Sequence, residues 1–188
     1  MNFEPATLPG VFIVGPRRFA DARGYFEETW SHRAFGALAP GVTFVQDNHS
    51  HSSSVGTIRG LHFQRPPFAQ DKLVRVVRGA ILDVAVDIRP GSPTFGHWVG
   101  VELSAQNGRQ LFIPKDFLHG FVTRAPDTEV VYKCSAYYAP DFDGCVRFDD
   151  PDIGVDWGIP PHEATLSHKD AGAPRLRDIV SPSCGGAP

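Results

Sequence analysis

The sequence predicts an all-β protein built from short antiparallel strands, and three observations support this prediction. Runs rich in Val, Ile, Phe and Thr recur along the 188 residues and are separated by turn residues. The chain contains 19 Gly and 17 Pro, which interrupt it too often for a helical bundle. The intervals between the runs are too short for crossover helices, which favours an antiparallel sandwich or barrel over a parallel α/β sheet.

The strand runs follow one another from the N-terminus onward. They lie at residues 11–14, 25–30, 42–48, 57–64, 72–77, 80–88, 97–103, 110–113, 120–123, 129–137 and 144–148. One short helix is predicted at 31–38, with Ser31 as its N-cap. The segments 89–93 and 106–108 contain the Gly, Pro and Asn residues typical of loops.

Composition limits the classes of protein to which the chain can belong. Residues 1–170 are predicted to form one domain, and residues 171–188, where periodicity is lost, a partly flexible C-terminal tail. A net charge of −3 provides no global basic field, so no nucleic-acid partner is expected. No run of eighteen apolar residues and no targeting signal is seen, so we expect no membrane association and a cytoplasmic protein. Three cysteines without metal-type spacing fit a reducing compartment.

Two segments, 56–79 and 108–119, have the spacing of paired ligand motifs and resemble the cupin family. Metal cupins place two His, a Glu and a third His around one ion. Here His62 and His119 are present, but Gln64 stands at the second His position and Lys72 at the Glu position. A protonated ammonium repels a divalent cation and offers it no lone pair. The sequence therefore predicts a site without metal, and no cofactor.

Several polar side chains fall on matching positions of the strand runs and can share one interior face. They are His62, Gln64, Lys72, His119, Tyr132 and Cys134. Burying Lys, His and Tyr together without a function would be expensive, so this face is the predicted site. Arg59 has the opposite parity to His62, so either a bulge lies between them or Arg59 reaches the ligand from the rim.

Six blocks of sequence, spread over nearly the whole chain, resemble the dTDP-4-dehydrorhamnose 3,5-epimerase family in order and spacing. They are DARGYF at 21–26, QDNHS at 46–50, RGLHFQ at 59–64, QDKLVR at 70–75, IPKDFLHGF at 113–121 and LSHKD at 166–170. The resemblance implies a cupin-type jelly-roll barrel with one or a few short helices. It also implies a homodimer that binds a 4-keto-6-deoxy hexose carried on thymidine diphosphate.

The resemblance also implies roles for individual residues. His62 would be the general base, Asp170 its orienting carboxylate and Tyr132 the general acid. Lys72 would stand beside the keto oxygen, where a cation stabilises an enolate. The predicted substrate-binding residues are Arg23, Glu28, Gln46, Asn48, Arg59, His119, Tyr138, Asp143 and Lys169, with Tyr138 stacked on the thymine.

The expected function is inversion of carbons 3 and 5 of dTDP-4-dehydro-6-deoxy-D-glucose to give dTDP-4-dehydro-L-rhamnose through enolate chemistry. Three alternatives remain. A mono-epimerase of a secondary-metabolite pathway would keep nearly the same residues. A metal-dependent cupin oxygenase is disfavoured by Gln64 and Lys72. A non-catalytic sugar-binding jelly roll is disfavoured by the intact set of His62, Lys72, Tyr132 and Asp170.

Overall fold

A computed structural model of the chain describes residues 1–180, which form thirteen β-strands and three short α-helices. The strands are β1 Asn2–Pro5, β2 Phe12–Gly15, β3 Arg18–Asp21, β4 Gly24–Glu27, β5 Gln46–Ser52, β6 Ile58–Gln64, β7 Lys72–Arg78, β8 Ala80–Asp87, β9 Trp98–Ser104, β10 Gln110–Ile113, β11 Phe117–Thr123, β12 Thr128–Cys134 and β13 Asp143–Cys145. The helices are α1 His32–Gly36, α2 His168–Ala171 and α3 Leu176–Val180. Among residues 1–180, no helix has the length and apolar character needed to span a membrane.

The strands form two main antiparallel sheets. One has six strands in the order β1-β2-β10-β7-β12-β5, and the other has five in the order β13-β6-β11-β8-β9. Strands β3 and β4 form a separate two-stranded hairpin. The predicted all-β jelly roll of antiparallel strands with few short helices is confirmed.

The two sheets pack face to face around an apolar core, and part of the outer face of each sheet is also covered. The inner core includes Val74 and Leu111 from the six-stranded sheet and Ile81 and Phe121 from the five-stranded sheet. The outer face of the five-stranded sheet packs against a cluster that includes Trp157 from the C-terminal segment. Because its central strands are covered on both faces, β11 is buried along its whole length.

A β-bulge in β6 decides which side chains of that strand face the interior. His62 pairs with His119 and Arg59 with Phe121, so three steps along β6 match two along β11. The extra residue brings both Arg59 and His62 to the inner face, which resolves the parity question in favour of a bulge. Gly60 occupies this position with φ 142°, and a Cβ there would lie 2.5 Å from the Gly120 Cα.

Local elements agree with the sequence predictions at some positions and differ at others. The predicted helix is observed as α1, and Ser31 Oγ accepts a hydrogen bond from the Ala34 amide at 3.5 Å. The strand predicted at 42–48 was wrong in its first half, because β5 begins only at Gln46 and continues to Ser52. Strand β5 alternates polar side chains on both faces, a pattern that hid its second half.

The predicted C-terminal tail at 171–188 falls partly on the described residues. There, α3 begins at Leu176, whose side chain is buried in the apolar cluster on the outer face of the five-stranded sheet. Residues 181–188, which include Cys184, lie outside the described residues. The flexible tail and the boundary at residue 170 remain predictions.

Candidate active site

Two adjoining cavities open between the sheets, beside the apolar core. Their volumes are about 390 Å³ and 460 Å³, and both are lined by His62, Lys72, Tyr132 and Lys169. Eleven of the thirteen predicted site residues line one cavity or both: His62, Lys72, Tyr132, Asp170, Arg59, His119, Lys169, Gln46, Asn48, Tyr138 and Asp143.

A histidine and a carboxylate form a hydrogen-bonded pair on the wall made by the five-stranded sheet. His62 Nε2 donates to Asp170 Oδ1 over 2.6 Å, and Asp170 is 3% exposed. Ser167 caps α2 by accepting a hydrogen bond from the Asp170 amide, which holds the carboxylate in place. Burial opposes ionisation of Asp170, but the hydrogen bond with His62 outweighs this effect, so the pKa of Asp170 is lowered. In a neutral imidazole, a proton on Nε2 for this hydrogen bond makes Nδ1 the nitrogen that can accept a proton.

A lysine and a tyrosine lie on the opposite wall, which belongs to the six-stranded sheet. The Lys72 ammonium makes no hydrogen bond or ion pair with any residue from 1 to 180. Burial lowers the pKa of Lys72, while the neighbouring Cys134 and Asp83 favour its charged form. Burial also raises the pKa of Tyr132, so this phenol keeps its proton at neutral pH. The site therefore places a base on one wall and a proton donor on the other.

A second buried histidine and carboxylate pair, missed by the sequence analysis, lies behind the cavity. His119 Nε2 and Asp83 Oδ1 are 2.7 Å apart, and Asp83 on β8 is fully buried. The other oxygen, Asp83 Oδ2, has no hydrogen-bond partner among the described residues. Burial raises the pKa of Asp83, while His119 and Lys72 oppose that rise. His119 is thus held from behind by a carboxylate, as His62 is.

The mouth of the cavities carries a connected group of charged and aromatic side chains. Asp143 on β13 accepts hydrogen bonds from Lys169 and, at 3.1 Å, from the Tyr138 hydroxyl. Arg59 reaches across to β5, where its Nε donates to Ser52 Oγ at 3.2 Å. These contacts tie the rims of both sheets together around the opening.

Two predicted site residues lie elsewhere. Arg23 sits in the turn of the β3–β4 hairpin, where its side chain is 89% exposed and pairs with Asp21. Glu28 follows β4 and is also exposed. Neither lines either cavity within this chain.

The ligand positions of metal cupins do not fit a divalent cation here. The Gln64 amide is turned to the backbone, with its Nε2 donating to the carbonyls of Phe68 and Tyr137. Lys72 adds a cation where a carboxylate ligand would be needed, and Nε2 of each histidine is already paired with an aspartate. Among residues 1–180, no group of three His, Cys, Asp or Glu is arranged to hold a metal ion.

The chemistry available to this arrangement is proton removal beside a carbonyl group. The His62 imidazole, the buried Lys72 ammonium and the Tyr132 phenol line the same two cavities, which are large enough for a sugar ring. A carbon acid loses its proton to such a base when a nearby cation or hydrogen-bond donor stabilises the enolate oxygen.

Comparisons with known proteins agree with this chemistry. The sequence profile of the family described as dTDP-4-dehydrorhamnose 3,5-epimerase matches residues 5–178. A dTDP-4-dehydrorhamnose 3,5-epimerase of Sinorhizobium fredii is 48% identical over 181 residues, which covers 95% of this chain and 91% of that protein. The solved dTDP-6-deoxy-D-glucose-3,5-epimerase of Legionella pneumophila, in complex with dTDP-4-keto-L-rhamnose, is 42% identical with a TM-score of 0.90, covering 95% of this chain and 94% of that one. A 3′-monoepimerase of Streptomyces bikiniensis, solved with dTDP-quinovose, is 34% identical with a TM-score of 0.84, covering 92% of this chain and 86% of that one.

Proposed function

Because the chain belongs to the dTDP-4-dehydrorhamnose 3,5-epimerase family, we propose that it converts dTDP-4-dehydro-6-deoxy-D-glucose into dTDP-4-dehydro-L-rhamnose. It is an isomerase that acts on a sugar nucleotide and inverts carbons 3 and 5. The observation that carries the proposal is the His62–Asp170 pair, which faces Lys72 and Tyr132 across the cavity.

The first step is formation of an enolate. His62 Nδ1 takes the proton from a carbon next to the 4-keto group, and the electron pair of that C–H bond moves onto the keto oxygen. The Lys72 ammonium, which has no hydrogen bond to a described residue, stabilises the developing charge. Asp170 keeps Nε2 protonated and stabilises the imidazolium that forms.

The second step is inversion. A proton returned by His62 to the same face would restore the original configuration, so the new proton must come from the other side of the ring. The Tyr132 hydroxyl lies on the opposite wall and donates its proton to that face of the enolate. The phenolate then takes a proton from solvent, and His62 releases its own.

Proton NMR of the reaction in heavy water tests this proposal. With dTDP-4-dehydro-6-deoxy-D-glucose, deuterium should enter at carbons 3 and 5, and both should appear inverted in the product. Exchange and inversion at carbon 3 alone would instead identify a mono-epimerase, as in the Streptomyces bikiniensis relative. Binding without any exchange would identify a non-catalytic sugar-binding protein and refute the proposal.

We also propose that the enzyme works as a homodimer in which the β3–β4 hairpin serves the site of the second copy. Arg23 and Glu28 lie outside the cavities of their own chain, so any contact they make with substrate must reach another subunit. The hairpin also exposes Phe19, Tyr25 and Phe26, of which Phe26 is 71% exposed. An aromatic arm of this kind is more stable when it packs on a partner.

A subunit-mixing experiment tests the dimer. Arg23→Glu disables the arm and His62→Ala disables the base, so each variant alone should be inactive. Hybrid dimers formed by mixing them should recover activity, because one site then combines an intact base with an intact arm from the partner. A monomer in light scattering, or hybrids without activity, would contradict the crossed arrangement.

A further inference from the structure

The backbone of residues 136–139 is held by glutamine side chains. We call this segment the tyrosine loop, because it carries Tyr138 between β12 and the 3₁₀ helix Pro140–Phe142. Gln70 Nε2 donates to the Ala136 carbonyl at 2.8 Å. Gln46 Oε1 accepts from the Tyr138 amide at 3.0 Å. Side chains from outside the loop therefore fix its path.

Gln64 makes the largest share of these bonds. Its Nε2 donates to the Tyr137 carbonyl at 3.2 Å and to the Phe68 carbonyl at 2.7 Å, and its Oε1 accepts from the Ala139 amide at 2.8 Å. Both of its N–H groups are used, so Gln64 has no donor left for a substrate, although it lines the cavity. The side chain is 6% exposed, and such a buried amide must keep these partners.

The Tyr138 ring is fixed at its far end as well. Its hydroxyl donates to Asp143 Oδ2, which also accepts a hydrogen bond from Lys169. Tyr138 nevertheless remains 58% exposed at the cavity mouth. The exposed ring is therefore oriented from both its backbone and its hydroxyl.

We infer that Gln64, supported by Gln70, is a positioning residue for nucleotide binding: it holds the tyrosine loop so that the Tyr138 ring is in place before the thymine arrives. The inference rests on the proposed function. A ring that is already ordered binds the nucleotide more tightly, because no conformational entropy of the ring is lost in the binding step. Gln64 then governs affinity for the thymine of the nucleotide, whereas proton transfer depends on His62, Lys72 and Tyr132.

Calorimetry with two probes, dTDP and inorganic pyrophosphate, tests the inference in the Gln64→Leu variant of the full chain. We expect dTDP to bind about tenfold more weakly and pyrophosphate to bind within about twofold of wild type, because only dTDP carries the base. The KM for the sugar nucleotide should rise with the dissociation constant of dTDP, while kcat falls by less than about threefold. Thr128→Val is the matched control, since it removes a buried hydroxyl that donates to the Ala125 carbonyl at the other end of β12.

A double-mutant cycle with Tyr138→Ala makes the test specific. If Gln64 acts through Tyr138, Gln64→Leu should weaken dTDP binding by less than about twofold once Tyr138 is absent. Unchanged dTDP affinity, equal weakening of both probes, or additive losses would overturn the inference. If Gln64→Leu fails to fold, the same measurements are made on Gln70→Leu, which removes a single hydrogen bond to the tyrosine loop. The same criteria then apply. Failure of wild type to bind dTDP would instead refute the proposed function.

Discussion

Replacing Tyr132 with Phe should separate proton removal from proton return. The change removes one oxygen atom, which makes no hydrogen bond with any residue from 1 to 180. The ring keeps its packing against the inner core, and no buried group loses a partner. We therefore expect the free energy of unfolding to change by less than about 1 kcal/mol. Any large loss of activity then reflects chemistry rather than folding.

The expected loss follows from the single function of this hydroxyl. A positioned general acid contributes about 10²–10⁴-fold to rate, which corresponds to about 3–5 kcal/mol in the activation free energy. Formation of inverted product should fall by that factor. Exchange of a ring proton for deuterium should continue, because His62, Asp170 and Lys72 still form the enolate.

Proton NMR in heavy water measures both quantities in one experiment. Loss of the signals of the protons on carbons 3 and 5 measures exchange, and the coupling pattern of the product measures inversion. Tyr137→Phe serves as the matched control, since that tyrosine is 67% exposed and lines neither cavity. Inversion of both carbons by Tyr132→Phe at a rate near that of wild type would show that another group donates the proton.

Three further predictions concern side chains that line the two cavities. Lys72→Met should lower kcat by about a hundredfold or more with little change in dTDP affinity, because the enolate loses its buried cation; a fall of less than about tenfold would reassign Lys72 to binding. The pKa of Asp170 lies below its ordinary 3.8, so its hydrogen bond with His62 stabilises the fold above about pH 4, and this stabilisation is lost as pH falls further. Urea titrations should show a flatter acid dependence for Asp170→Asn, and identical profiles would refute the pairing. Chelator treatment should leave turnover unchanged, and activity restored by one specific divalent ion would contradict the unsuitability of Gln64 and Lys72 as ligands.

The strand pattern predicted most of the fold, because a strand that is buried on at least one face contains a recognisable run or alternation of apolar residues. Strand β7 was predicted at 72–77 and is observed at Lys72–Arg78. Strand β5 was misplaced because its inner face lines the cavity and its outer face is exposed, so neither face is apolar. A polar edge strand beside an active site does not show the alternation on which the prediction depends.

The site was predictable in part for the same physical reason. The parity of Lys72 and Tyr132 correctly placed them on one inner face. Asp83 was missed, although it is one of only two carboxylates in the otherwise apolar run 80–88, and this signal could have been used because a buried charge requires a partner. The separation of Arg23 from the cavities could not be predicted, since the sequence pattern of the β3–β4 hairpin does not show where the hairpin lies relative to the two sheets.

The bulge in β6 has a consequence for engineering this enzyme. Only the extra residue at position 60 lets Arg59 and His62 point the same way, so a one-residue deletion there would turn one of them outward. Substitution is also constrained, because a side chain at Gly60 would collide with the backbone of the neighbouring strand. A library intended to alter substrate range should therefore keep the length and the glycine of this segment fixed. Diversity is better introduced at the exposed mouth, where loops tolerate insertions.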